Sequence, residues 1–215
     1  MDELYAFIAT CGKGRFTIEE HSCANLPSER KAQLKKLLST NRDCFQELEV
    51  FECEADIYVC LILKDDVVVG YSSYVHFDNV NVGYVMYMCN DGSLRGQNIG
   101  VLMMIPLIVH AIKKGAEKIV THGNANSLPI FQHKFGFTII EDWYSPNFYK
   151  TPMGELAMSI SKEINCFLDL SPTNLPKVKS DIVTVLKNCK LKGGTKKKRK
   201  ARRTRRSNKS VRRTH

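Results

Sequence analysis

Ser93-Leu94-Arg95-Gly96-Gln97-Asn98-Ile99-Gly100-Val101-Leu102 joins a strand-like run to a helix-like one. Upstream, Val82–Cys89 is rich in Val, Tyr and Met. Downstream, Val101–Ile112 is apolar and ends in Lys113-Lys114-Gly115. A strand, a glycine-bearing turn and a helix start leave backbone N–H groups pointing outward without partners. The helix N-terminus adds about half a positive charge. Such a turn suits a phosphate. An ordinary strand-to-helix connection carries the same residues, so the stretch is read with its surroundings.

Toward the N-terminus, Val67–Phe77 and Asp56–Leu63 are apolar and β-branched. Lys64-Asp65-Asp66 separates them, which predicts a hairpin. Arg15–Ser22 predicts a first strand. Leu26-Pro27-Ser28 opens a helix with Ser28 as its cap, and Leu34, Leu37 and Leu38 fall at helical spacing. Asn41–Glu54 has room for a second short helix. Toward the C-terminus, Gln97–Lys114 predicts a helix apolar nearly all round, hence buried, with a kink at Pro106. Glu117–His122 predicts a strand. Asn126 or Ser127 can cap a helix over Leu128–Lys134, with Pro129 in its first turn. Thr138–Glu141 and Gly154–Lys162 predict two more strands, and Lys177–Lys187 a short helix after the linker Ser171–Pro176.

The chain has 215 residues and 43% hydrophobic content, enough for one full core. Its net charge of +10 is not spread evenly. Residues 190–215 hold 14 Lys and Arg and no acid, which leaves 18 basic and 22 acidic residues elsewhere. The body is therefore mildly acidic. The eight cysteines show no C-x-x-C pair and no zinc-ligand spacing with His. The N-terminus lacks the basic region of a secretory signal. Scattered thiols then imply a reducing, intracellular home. Val101–Val109 is the longest wholly apolar stretch, too short to span a membrane.

Two motifs carry a resemblance. Arg95-Gly96-Gln97-Asn98-Ile99-Gly100 matches Q/R-x-x-G-x-G/A. Asn124 through Phe131 to Gly136-Phe137 matches N-x-x-A-x-x-x-Y-x-x-x-G-F. In order and at this distance, they resemble the GCN5-related N-acetyltransferase (GNAT) superfamily over about Phe16–Lys162. The resemblance implies an α/β fold with a mixed, splayed central sheet flanked by helices. It implies acetyl-CoA as acyl donor, with no metal. The pyrophosphate would sit on the N–H groups from about Gln97 through Asn98, Ile99 and Gly100 to Val101, with Arg95 and Gly96 also among the cofactor-binding residues. The pantetheine arm would enter between the Tyr84–Cys89 and Ile119–His122 strands and pair with the backbone of Met88 and Cys89. Asn124 and Phe131 would lie near the arm. Two positions depart from the pattern. Asn98 replaces a glycine; Asn tolerates positive φ, and its side chain either crowds the pyrophosphate or bonds to it. Phe131 replaces a tyrosine that serves many members as general acid.

Acetyl transfer needs a neutral amine set against the thioester carbonyl. His122, at the end of the strand entering the cleft, is the first candidate base; it could equally cap a strand end. Tyr84 and Cys89 lie on the neighbouring strand. Strict alternation puts Tyr84, Met86 and Met88 on one face, Tyr87 and Cys89 on the other. Cys89 is a candidate nucleophile or a small packed residue. Acidic candidates are scarce, Asp91 being the nearest carboxylate.

The domain reading is an acetyltransferase unit over 1–163, an extension with a short helix over 164–189, and a disordered Lys/Arg-rich tail over 190–215. The tail has the composition of a polyanion or nucleic-acid binder and of a nuclear or nucleolar import signal. It is similar in composition to tails on proteins of large DNA viruses, so virion association is a further expectation. The acceptor is read as a small polyamine or a protein lysine or N-terminus. The other reading is a binding protein with a degenerate core that works through its tail.

Overall fold

The computed structural model describes residues 16–41, 56–161 and 163–191. In chain order these form β1 (Thr17–Ser22), α1 (Ser28–Thr40), β2 (Tyr58–Lys64), β3 (Val67–Phe77), β4 (Val82–Asn90), α2 (Ile99–Lys114), β5 (Lys118–Thr121), α3 (Leu128–Phe135), β6 (Thr138–Ile139), α4 (Pro152–Ile160), β7 (Cys166–Asp169) and α5 (Leu175–Leu191). The possible helix over Asn41–Glu54 lies almost wholly outside the described residues, as does the tail.

The strands form one sheet in the order β1-β2-β3-β4-β5-β7-β6. Among the described strands, only the β4–β5 pair is parallel. A parallel pair needs a crossover, and α2 supplies it. On one face, Cys60, Ile62, Val85, Ile119 and Leu168 pack under α2, α3 and α5 in a single core. On the other face Val59, Leu61, Tyr71 and Cys89 pack under Leu34, Leu37 and Leu38 of α1. Farther along that face, Val82 and Val120 pack with Phe148 and with Ala157 of α4. Residues 99 and 101–109 of α2, with Ala111, are buried, as an all-apolar helix between layers must be, and Pro106 lies inside it.

The β2–β3 hairpin turns at Asp65 and Asp66, with φ of 51° and 65°. Paired positive φ values suit a two-residue loop that follows the strand twist. Arg30 of α1 clamps this turn. Its Nε and Nη2 donate to both carboxylate oxygens of Glu19 at 2.9 and 2.8 Å, and its Nη1 donates to the Asp66 carbonyl at 2.9 Å. The guanidinium holds the Glu19 carboxyl below its ordinary pKa.

Several expectations are corrected. Pro27 is the N-cap of α1, and Ser28 is already helical. Gly154–Lys162 is not a strand: Pro152–Ile160 is helical, with the Thr151 hydroxyl accepting from the Gly154 N–H at 3.0 Å. The closing strand is instead Cys166–Asp169, inserted between β5 and β6. The sheet thus uses residues that a boundary at 163 assigns to an extension. Strict alternation fails in β4. Ser73 pairs with Tyr87 and Tyr74 with Val85, so Met86 is an extra, bulged residue. A bulge shifts facing by one. Tyr84, Tyr87 and Cys89 therefore share the α1/α4 face, while Val85 and Met88 face α2.

At the lower end of the sheet the His110 ring stacks on Tyr58 at 3.9 Å and meets the Tyr74 edge at 5.4 Å. Burial, helped by Lys114, Lys113 and His76, pushes the His110 imidazole down to about 4 from 6.5. The unfolded chain then binds a proton that the native one refuses. Stability is full above pH 6.5 and falls as pH drops toward about 4. Thermal melts across that window, compared with His110→Phe, should show the acid-side loss flattened in the variant.

Candidate active site

β4 and β5 pair only from Val82↔Lys118 to Val85↔Thr121. The Thr121 hydroxyl then donates to the Val85 carbonyl at 2.9 Å. Beyond it β4 continues to Asn90, paired with β3, while β5 has ended. The chain after β5 is drawn toward β7 by Asn165. Its side-chain amide donates to the Gly123 carbonyl and accepts from the Gly123 N–H, both at 2.7 Å. Asn165 is 5% exposed, so these bonds satisfy an otherwise costly buried amide. The result is a wedge with Thr121 and Val85 at its apex. Met88 and Cys89 lie on its β4 side, above the last β5 pair.

The phosphate-type turn sits at the start of α2. Asn98 has φ 63° and Gly96 φ 82°, both left-handed. Asn98 therefore holds the turn that a glycine would hold. The first i→i−4 bond of α2 runs from the Leu102 N–H to the Asn98 carbonyl at 3.0 Å. The N–H groups of Ile99, Gly100 and Val101 thus have no partner within the helix. The side chains of Ile99 and Val101 are buried in the core; Arg95, Gly96, Gln97 and Asn98 are exposed. A Cβ built on Gly100 would meet only Ile130 Cδ1, at 3.4 Å. This arrangement of open N–H groups, small residues and a positive helix end fits a CoA pyrophosphate.

Asn124 does more local work than expected. Its Oδ1 accepts from the N–H groups of Asn126 and Ser127, at 3.0 and 3.1 Å. It, rather than the side chain of Ser127 or Asn126, caps the turn into α3. Phe131 is 2% exposed and packs on Phe137 at 5.2 Å between ring centroids. It fills core and has no proton to give.

Tyr84 and Trp143 pack against the α4-side cluster, and His122 contacts Trp143. The His122 ring is edge-on to Trp143 at 5.8 Å. Its Nδ1 bonds to the Glu163 carbonyl. A carbonyl only accepts, so Nδ1 carries the proton and Nε2 is the basic nitrogen. The Tyr84 side chain bonds to Ser161, and burial raises its phenol above the ordinary value. It stays protonated at neutral pH. The turn at Ser161 and Glu163 thus touches both Tyr84 and His122. Sequence reasoning missed Ser161, Glu163 and Asn165, since residues about 40 or more places downstream carry no local signal of these contacts.

Cys89 is removed from the catalytic set. Cys89 is disulfide-bonded, as is Cys23, so Cys89 offers no thiolate. This also corrects the reading of all eight cysteines as scattered thiols. Cys60 and Cys166 are free, and burial raises both thiols. Among the described residues, no group of three His, Cys, Asp or Glu could hold a metal ion, and no helix is long and apolar enough to cross a membrane.

A wedge between parallel strands beside a helix start with open N–H groups is the arrangement of an acyl-CoA-dependent transferase fold. The chain belongs to the acetyltransferase (GNAT) family, whose model matches residues 19–137. An acyl-CoA N-acyltransferase from Pseudomonas aeruginosa is similar in structure, at 14% identity and TM-score 0.53, covering 71% of this chain and 98% of its own. A GNAT-family acetyltransferase from Staphylococcus aureus Mu50 is 16% identical at TM-score 0.50, covering 72% and 100%. Escherichia coli ElaA is 17% identical at TM-score 0.49, covering 58% and 88%. No curated protein matches the chain in sequence.

Proposed function

We propose that the chain moves an acetyl group from acetyl-CoA to a primary amine by direct transfer. The carrying observation is His122: its Nδ1 proton is spent on the Glu163 carbonyl, which leaves Nε2 to take a proton from the amine. Bound on the turn and in the wedge, acetyl-CoA would supply an activated thioester. The N–H groups of Ile99–Val101 would hold its phosphates, and the β4 edge at Met88 and Cys89 would align its arm. Tyr84, kept protonated by burial, stands in for the missing tyrosine at Phe131 as proton donor. The half-buried Tyr84, Tyr87 and Trp143 give the acceptor an aromatic approach that suits a cationic stem. The tail adds polyanion binding and, with it, an address in the nucleus, nucleolus or virion.

Calorimetric titration of acetyl-CoA, followed by CoA release with a panel of amines, tests this reading. Saturable binding with amine-dependent release is expected. Binding without release for any amine would favour the degenerate binding protein, which the buried Phe131 supports. Gly100→Trp should cut acetyl-CoA affinity at least tenfold, because a large side chain beside Ile130 lies over the N–H groups. Gly100→Ala should bind as wild type, its Cβ being at ordinary contact distance.

A further inference from the structure

α4 ends beside Tyr84. Its C-cap, Ser161, has φ −161° and ψ 130°, extended backbone that carries the chain off the helix. The Ser161 N–H donates to the Ala157 carbonyl at 2.8 Å, and the Ser161 carbonyl accepts from the Ile164 N–H at 3.4 Å. Farther on, the Asn165 N–H donates to the Thr121 carbonyl at 3.2 Å, at the apex of the wedge. The turn after α4 is therefore pinned to the helix at one end and to β5 at the other. The half-buried Ser161 hydroxyl sits on that turn.

A serine hydroxyl has one proton to give and two lone pairs. Ser161 Oγ accepts from the Glu163 N–H at 3.4 Å. Its side chain also bonds to the Tyr84 phenol. Burial raises that phenol, the Ser161 bond acts against the rise, and neighbouring Tyr87 and Glu163 add to it. A phenolate oxygen can only accept. Once Tyr84 has given its proton away, Ser161 is the neighbour placed to donate to it. A bond made to the charged form favours that form, so Ser161 makes Tyr84 a better acid than burial alone would leave it.

The geometry points to Ser161 as the positioning residue of the acid step: its hydroxyl donates to the Tyr84 oxygen and holds the phenolate that forms when Tyr84 protonates the departing thiolate. This rests on the amine-transfer reading above. In the step, a neutral amine nitrogen attacks the thioester carbonyl, the N–C bond forms and the C–S bond breaks. One amine proton passes to His122 Nε2, and the sulfur takes the proton of Tyr84. The phenolate, held by Ser161, then takes a proton back from water, and His122 returns its own to water. Without the Ser161 hydroxyl, the phenolate would form in a buried place beside the repelling carboxylate of Glu163.

The test compares Ser161→Ala and Ser161→Thr in the full chain, each alone and combined with Tyr84→Phe. Both should fold, because residue 161 is held by its backbone bonds and extended backbone suits a β-branched residue. Ser161→Ala should lower kcat about tenfold, the worth of a hydrogen bond to a charged group, with KM for the amine and acetyl-CoA affinity unchanged. Ser161→Thr keeps a hydroxyl and should restore the rate. In the Tyr84→Phe background Ser161→Ala should cost nothing more, since the two side chains act as one unit. The Tyr84 titration gives a readout without turnover, followed by NMR of ring-labelled tyrosine and assigned by its loss in Tyr84→Phe. It should move up in Ser161→Ala and stay in place in Ser161→Thr. An unmoved titration, or an equal loss in the Tyr84→Phe background, overturns the proposal. CoA release by Ser161→Ala at the wild-type rate also overturns it and leaves the amine transferase standing. No release by the wild type with any amine overturns both.

Discussion

His122→Gln lowers kcat/KM for the amine by about 10²–10⁴-fold, the usual worth of a positioned base. The reason lies in the two ring nitrogens. Nδ1 is held by the Glu163 carbonyl, and the ring edge is held by Trp143. Only Nε2 is left for proton transfer, and its orientation is set by two contacts rather than by solvent. Glutamine keeps a donor for Glu163 and has no basic nitrogen. The loss should therefore fall on kcat, with acetyl-CoA affinity unchanged. Tyr84→Phe should cost less, about tenfold to 10²-fold, because water can also protonate a thiolate. If His122→Gln kept the wild-type kcat, His122 would be a strand-end contact and the base would lie elsewhere.

The phosphate-type turn was legible because its physics is local. Two glycines and an asparagine at set spacing can be checked against φ without knowing the rest of the chain. Asn98 has the positive φ that its residue type allows. The facing of β4 was not legible. The bulge at Met86 arises from pairing with β3, where Ser73 and Tyr74 face Tyr87 and Val85. Nothing within Val82–Cys89 marks Met86 as the extra residue. The misread strand over Gly154–Lys162 is a different failure. Leu156, Met158 and Ile160 alternate, but Met153, Leu156, Ala157 and Ile160 also satisfy helical spacing. The deciding signal was upstream, in Thr151-Pro152, a capping hydroxyl followed by a residue suited to a first helical turn. The clamp by Asn165 and the Glu163 carbonyl contact joins segments some 40 residues apart, which only the fold brings together.

Gly154→Ala lowers the melting temperature, although alanine is the better helix former. On propensity alone the change should stabilise α4 by about 1 kcal/mol. Space decides otherwise. A Cβ on Gly154 would lie 2.0 Å from the Phe148 carbonyl oxygen and 2.6 Å from both the Phe148 carbonyl carbon and Tyr149 Cα. All three are backbone atoms, so no side chain can rotate away. The Phe148 carbonyl is itself fixed, accepting from the Thr151 N–H at 2.9 Å and from the Thr151 hydroxyl at 2.7 Å. Either α4 shifts off the 148–150 turn or that turn opens. Overpacking typically costs about 1–3 kcal/mol, and a backbone clash belongs at the upper end. The net loss is then about 2 kcal/mol, or about 4–8 °C in a domain of this size. The shift would also move the packing of Phe148 and Ala157 beside Tyr84 and Trp143, so Trp143 emission should change with it. Gly100→Ala, with 3.4 Å to its nearest neighbour, is the matched control and should melt at or slightly above wild type. A Gly154→Ala chain that melts with the control would mean that α4 does not seat on the Phe148 turn, and that the packing beside Tyr84 and Trp143 is built differently.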